Sequence, residues 1–103
     1  METIIIGDLI IDPDRFLVKK NGIPIQLTKT EFHILYLMMS TQGKIHSREQ
    51  ISKLVWGKEH LDFPRTIDAH ISNIRKKIGQ IAEQDIIVVR KGIGYKFNDL
   101  LLS

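Results

Sequence analysis

The stretch that decides the fold is PRTIDAHISNIRKKIG, residues 64–79. Its four isoleucines recur at steps of four, three and four residues, which is the spacing of a helix that buries one stripe of its surface. Pro64 suits the first turn of such a helix, and Gly79 suits the position after its end. The opposite side carries Arg65, His70, Asn73, Lys76 and Lys77. The sequence therefore predicts a helix over 65–78 with a basic and polar outer face.

The outer face of this predicted helix has the shape and charge of a surface that enters DNA. Ala69 lies at its centre, and this small side chain allows the helix axis to approach a partner closely. The major groove of B-DNA is about 12 Å wide and admits one α-helix. Asn73 suits adenine through its amide, and Lys76 suits guanine. The alternative is an ordinary solvated face, since Lys-rich outer faces are common.

Two earlier helices are predicted from capping boxes. TKTE, from Thr28, starts a helix that runs to about residue 41, and SREQ, from Ser47, starts one that ends at Gly57. The apolar residues predicted to line their inner faces are Phe32, Leu35, Tyr36 and Met39 in the first, and Ile51, Leu54 and Val55 in the second. The second and third predicted helices together form a helix-turn-helix pair.

Short strands are predicted on both sides of the three helices. The first 27 residues alternate and turn, and Asn21-Gly22 is a strong hairpin signal because both residues tolerate positive φ. The segment QIAEQD, residues 80–85, precedes the next predicted strand and is assigned no element. The chain then predicts a hairpin over 86–97, with IIVVRK and YKF as strands and KGIG as the turn. The fold class is therefore α+β, and the pattern is that of a winged helix-turn-helix.

The predicted C-terminal hairpin is basic. Arg90, Lys91 and Lys96 surround its two-glycine turn, and a thin cationic ribbon of this kind fits a minor groove. The alternative is an exposed hairpin whose lysines protect an edge strand. Arg48, at the start of the second predicted helix, is placed to add a phosphate contact.

Length and composition restrict the remaining possibilities. The 103 residues suit one domain, 1–103, and the charge is uneven: residues 1–43 carry a net −1 and residues 44–98 a net +5. The chain has no cysteine, no apolar run of about 18 residues and no signal-peptide pattern. We expect a cytoplasmic protein without a disulfide, a membrane span, a metal or another cofactor.

Nothing in the sequence points to an enzyme. His33, His46, His60 and His70 have spacings of 13, 14 and 10, which match no helical pair of metal ligands. No serine lies in a recognisable nucleophile elbow, and the GIG segment joins two strands instead of opening a helix over a phosphate.

Four segments together resemble a known family. LTKTEFHILYLMM, HSREQISKLVWG, RTIDAHISNIRKKIG and VVRKGIGYKF, in this order and spacing, are similar to the OmpR/PhoB-type effector domain of bacterial two-component response regulators. The resemblance spans nearly the whole chain. It implies a winged helix-turn-helix with an N-terminal four-stranded antiparallel sheet, three helices and a C-terminal hairpin wing. It also implies transcription factors that bind tandem direct repeats of double-stranded DNA.

The resemblance assigns roles to individual residues. It implies phosphate contacts at Arg48, Trp56, Arg65, Thr66, His70, Arg75 and Tyr95, base contacts at Ala69, Ser72 and Asn73, and a wing-tip contact at Lys91. Charge and position on the helix and hairpin add Lys77 to the expected phosphate contacts, Lys76 to the base contacts and Arg90 to the minor-groove contacts. Family members often carry arginine at one or both of the places held by Ser72 and Asn73, so a site richer in adenine is expected. Trp56 also suits packing beside a helix end.

The resemblance also implies partners and leaves one alternative open. The loop 57–63 matches the loop that often contacts RNA polymerase in the family. Effector domains usually follow a receiver domain that is phosphorylated in a phosphorelay. We expect a fragment cut at the boundary with such a receiver, in preference to a protein that naturally lacks one. The alternative function is a winged-helix module that binds proteins and no DNA.

Overall fold

The computed structural model describes residues 2–57 and 64–102, and of Pro64, Arg65 and Leu102 only the backbone. The chain begins with four strands: β1 (Ile4–Ile6), β2 (Leu9–Asp12), β3 (Leu17–Lys20) and β4 (Ile23–Pro24). They pair in sequential order as one antiparallel sheet. Asn21 and Gly22 connect β3 to β4 with φ values of 53° and 75°, as the Asn-Gly signal predicts.

Three helices follow the sheet: α1 (Lys29–Ser40), α2 (Arg48–Trp56) and α3 (Pro64–Ile78). Both predicted capping boxes form. The Thr28 hydroxyl accepts a hydrogen bond from the backbone N–H of Glu31, and the Ser47 hydroxyl accepts one from Gln50. These caps satisfy N–H groups that a helix start otherwise leaves without partners.

The isoleucine stripe of α3 is buried, as its spacing predicts. Ile67, Ile71 and Ile74 are 0% exposed and Ile78 is 3% exposed. They join a single core with the apolar face of α1 and the inner face of the sheet. Burial of a whole side chain of this size stabilises the fold by about 1.5–3 kcal/mol, so α3 is fixed by this one side.

The predicted inner face of α2 is wrong at Leu54, whose side chain is 61% exposed. Ile51 and Ser52 are buried and Val55 is half-buried. The buried face is therefore centred between Ile51 and Ser52. At 100° per residue, Leu54 lies about 60° from Ile51 in the direction away from Ser52, and so points off this face. Hydrophobicity suggested Leu54, but the direction from which α1 and α3 approach selects Ser52.

Two short strands lie in QIAEQD, to which the sequence assigned no element. β5 (Gln80–Ile81) and β6 (Gln84–Asp85) pair across Ala82 and Glu83, which have φ values of 52° and 65°. A two-residue hairpin turn with both φ values positive usually contains Asn or Gly. The sequence carries neither residue here, so this hairpin gave no turn signal.

The predicted C-terminal hairpin is present as β7 (Ile87–Arg90) and β8 (Gly94–Phe97). We call this hairpin, with its turn, the wing. His46 forms a bridge to β8: its N–H donates to the Tyr95 carbonyl at 2.8 Å, and the Tyr95 N–H donates to the His46 carbonyl at 2.9 Å. The wing is thereby attached to the segment between α1 and α2. A 3₁₀ turn (Asp99–Leu102) follows β8.

Candidate nucleic-acid interface

The outer face of α3 is open to solvent. Ala69, Ser72, Asn73 and Lys76, which we call the reading face, are all exposed, as is Thr66. The backbone of Arg65 belongs to α3, but its predicted phosphate contact lies outside the described side chains. Because the isoleucines hold the other side in the core, the reading face is turned outward.

Asp68 joins three parts of the molecule, and sequence reasoning did not select it. Its Oδ1 accepts a hydrogen bond from Nε of Arg48 on α2 at 2.7 Å and one from the hydroxyl of Tyr95 on the wing at 2.6 Å. The guanidinium of Arg48 also lies 5.2 Å from the centroid of the Tyr95 ring. Twenty residues separate Arg48 from Asp68, so no local pattern indicates the pair.

The ionisation of these three groups is coupled. Burial alone raises the pKa of Asp68, but the hydrogen bonds from Tyr95 and Arg48 outweigh burial and hold this pKa below its ordinary value. Burial and the bond to Asp68 raise the pKa of Tyr95. The bond to Asp68 raises the pKa of Arg48. At neutral pH the group is therefore a carboxylate, a guanidinium and a neutral phenol.

Arg75 ties α3 to the wing. Its Nε and Nη2 donate to the backbone carbonyl of Ile87 at 3.0 and 2.7 Å, and its guanidinium lies 5.8 Å from the Tyr95 ring centroid. Arg75 was predicted only as a phosphate contact. The structure shows it bonding α3 to the first strand of the wing.

Two lysines connect α3 to the rest of the fold at its C-terminal end. Nζ of Lys77, predicted as a phosphate contact, lies 2.6 Å from the buried carboxylate of Glu31, so a contact with DNA would require Lys77 to leave this ion pair. Although burial raises the pKa of Glu31, the hydrogen bonds from Lys77 and the Thr28 backbone lower it below its ordinary value. Nζ of Lys20 donates to the carbonyls of Ile78 and Gln80 at 2.7 and 2.8 Å. A cation there also complements the helix dipole.

The remaining predicted contacts lie on α2, α3 and the wing. Trp56 and His70 are half-buried with ring centroids 5.7 Å apart, and Trp56 packs partly against the core, so the packing role expected for it is present. Arg90 and Lys91 are exposed on the wing. Lys96 instead pairs with Asp99 at 3.2 Å.

Some predictions have no structural test here. Residues 58–63 of the loop assigned to RNA polymerase lie outside the described residues. Over residues 2–57 and 64–102, the side chains that are described include no group of three His, Asp or Glu able to hold a metal ion. No helix in that part of the chain has the length and hydropathy needed to span a membrane.

His46 makes stability depend on pH. Burial, with the positive charge of Lys44, lowers the pKa of this imidazole, whose Nε2 lies 2.8 Å from the Thr41 hydroxyl. In the unfolded chain His46 takes up a proton near pH 6.5, whereas in the folded chain it takes up the proton only at a lower pH. Stability is therefore expected to fall as the pH drops below about 6.5.

Urea unfolding at pH 7.5 and 5.5 measures this dependence. His46→Gln is expected to be less stable at both values but to lose part of the pH dependence. His33→Gln removes an exposed imidazole and is expected to retain it. If His46→Gln keeps the full pH dependence, His46 is not its source.

Comparisons with known proteins agree with this architecture. A family model described as "Transcriptional regulatory protein, C terminal" matches residues 22–97. The DNA-binding domain of CpxR from E. coli is 34% identical, with a TM-score of 0.84, over 94% of this chain and 96% of that one. The DNA-binding domain of Klebsiella pneumoniae RstA, solved in complex with the RstA box, is 30% identical, with a TM-score of 0.82, over 94% and 97%.

A longer relative is also similar. The response regulator DrrB of Thermotoga maritima, described as an OmpR/PhoB homolog, is 35% identical with a TM-score of 0.81. The match covers 92% of this chain but only 43% of DrrB. The similarity is therefore to one part of a longer protein.

Proposed function

The chain belongs to the OmpR/PhoB-type family of C-terminal effector domains of transcriptional regulators, and we propose that it binds double-stranded DNA in a sequence-specific manner. The family is one of DNA-binding regulators and not a class of enzymes. In the proposed complex α3 occupies the major groove and the wing reaches the adjacent minor groove.

One observation carries the proposal: α3 is buried on its isoleucine side and exposed on its reading face. A helix presented in this way can enter a groove without rearrangement of the core. RstA, which has the same fold, was solved on its DNA box. Within the reading face, we assign Asn73 to adenine and Lys76 to guanine, with Ala69 and Ser72 against the groove floor.

Phosphate contacts are assigned to residues that border the reading face. They are Arg48, Trp56, Arg65, Thr66, His70 and Arg75, with Lys77 once its ion pair with Glu31 opens and Tyr95 once its hydroxyl leaves Asp68. Arg48 and Arg75 use N–H donors beyond those already bonded inside the protein. Arg90 and Lys91 are assigned to the minor groove, whose negative potential attracts cations.

Two further partners and the layout of the DNA site are part of the proposal. Because this chain covers 43% of DrrB, we assign the parent protein a receiver domain that is phosphorylated in a two-component phosphorelay. The binding site is assigned as tandem direct repeats, each occupied by one copy of the domain. The loop 57–63 is assigned to RNA polymerase, by analogy with the family.

A salt titration tests DNA binding. If about four or five cations neutralise phosphates, a plot of log affinity against log salt has a slope near −4. The probe is a random-sequence duplex first, then duplexes selected from a random pool. A protein-binding module would retain no selected duplex, even at low salt.

Two substitutions on the reading face are expected to change site preference. Asn73→Ala and Lys76→Ala each remove a base contact and should cost about 1–3 kcal/mol at one base position while relaxing selectivity there. Arg75→Ala is expected to weaken all sequences alike, since it removes a phosphate contact and loosens the wing. Selection from a random pool with each variant measures the difference. An unchanged preference in Asn73→Ala would show that its amide does not read a base.

A further inference from the structure

An acidic side chain lies on the side of α3 that faces the wing, where the proposed function places DNA phosphates. The side chain of Asp68 is 49% exposed and that of its partner Arg48 is 35% exposed. A carboxylate near a polyanion reduces affinity. If Asp68 serves DNA binding, the contacts that it makes inside the protein have to offset this loss of affinity.

Those contacts meet at one atom. Oδ1 of Asp68 accepts from Arg48 on α2 and from Tyr95 on the wing. Arg48 keeps further N–H donors for a phosphate, whereas the single O–H of Tyr95 is used in this bond. Asp68 itself is fixed, because its neighbour Ile67 is completely buried. One oxygen thus sets the position of the phosphate contact Arg48, and that of the wing at Tyr95, relative to the helix that reads bases.

We infer that Asp68 is a positioning residue of the DNA-binding surface. It holds Arg48 and Tyr95 at fixed places beside α3, and it prevents Arg48 from binding phosphates that are out of register. This inference rests on the proposed function and deepens it. A phosphate in the correct register meets the remaining N–H donors of Arg48 without displacing Asp68. A phosphate elsewhere has to compete with the carboxylate for the guanidinium. Asp68 therefore lowers non-specific affinity more than specific affinity.

The test is Asp68→Asn, which keeps an oxygen that can accept from Tyr95 but removes the charge that holds Arg48. Affinity for a random-sequence duplex is expected to rise about threefold or more, with a salt slope steeper by up to about 0.9. The ratio of specific to non-specific affinity is expected to fall about fivefold or more. A purely structural role would weaken both affinities together, and that result would overturn the inference.

Asp99→Asn is the matched control. It also removes one carboxylate from an ion pair with a basic residue, Lys96, and it lies outside the contacts of Asp68. An equal rise in non-specific affinity in this variant would show that net charge alone is responsible. In an Arg48→Ala background, Asp68→Asn is expected to produce no further rise, and a full rise there would overturn the inference.

A measurement without DNA separates this inference from the proposed function. In a Tyr36→Phe background, absorbance reports ionisation of Tyr95 alone. Asp68→Asn is expected to lower the pKa of Tyr95 towards its ordinary value, because a charged acceptor is lost. An unchanged titration would overturn the contact between Asp68 and Tyr95. Failure of the wild-type chain to bind any duplex would overturn the proposed function instead.

Discussion

Gly94→Ala is expected to destabilise the protein by at least about 3 kcal/mol, because a Cβ at this position would overlap the backbone carbonyl of His46. The His46 carbonyl cannot swing aside as a side chain could, because the backbones of His46 and Tyr95 exchange two hydrogen bonds there. Relief of the overlap requires β8 to move away from His46. For a domain of this size the melting temperature should fall by about 12 °C or more.

The displaced wing should also bind DNA less well. Tyr95, the next residue, would lose its position beside Asp68, so specific affinity is expected to fall together with stability. Thermal unfolding and duplex binding below the transition measure the two effects separately.

Gly92→Ala is the matched control for this prediction. Gly92 has a φ of 78° but nothing within 4 Å of an added Cβ, so alanine there costs only about 1–2 kcal/mol of backbone strain. If Gly94→Ala were no more damaging than Gly92→Ala, the close approach of β8 to His46 would not exist in solution.

The second large effect is expected at Ile71. Ile71→Ala removes buried methyl groups from the centre of the isoleucine stripe and should cost about 2–5 kcal/mol of unfolding free energy. Urea unfolding gives the value. Wherever the variant is still folded, its site preference in a random-pool selection is expected to match that of the wild type, since the reading face is intact.

Ser72→Ala, one residue along the same helix, is expected to behave in the opposite way. Ser72 is exposed, so its loss should change stability by no more than about 0.5 kcal/mol while affecting affinity for selected DNA. If Ser72→Ala destabilised the fold as much as Ile71→Ala, the assigned orientation of α3 would be wrong.

Local patterns predicted much of the fold. The two capping boxes, the Asn21-Gly22 turn and the isoleucine stripe each depend on residues within a few positions of one another. Each is present as predicted, because the physical interaction is local. The hairpin of β5 and β6 is also local, but Ala82 and Glu83 adopt positive φ without the residue types that signal it.

What the sequence could not predict depends on tertiary approach. The exposure of Leu54 follows from the direction in which neighbouring helices reach α2. The contact of Asp68 with Tyr95 spans 27 residues, and that of Lys77 with Glu31 spans 46. Each partner had an adequate local interpretation as a surface charge or a DNA contact. Only the folded structure shows that these side chains bind one another within the protein.

The reading face of α3 is proposed to enter the major groove. Duplexes in which single purines are replaced by 7-deaza analogues lack the N7 acceptor of that groove, and 3-deazaadenine removes the N3 acceptor of the minor groove. With a selected binding site, 7-deaza substitution at consecutive positions within each repeat is expected to weaken binding about tenfold per position, and Asn73→Ala should abolish the effect at one of them. If no 7-deaza position changes the affinity, or only 3-deazaadenine does, α3 does not read the major groove.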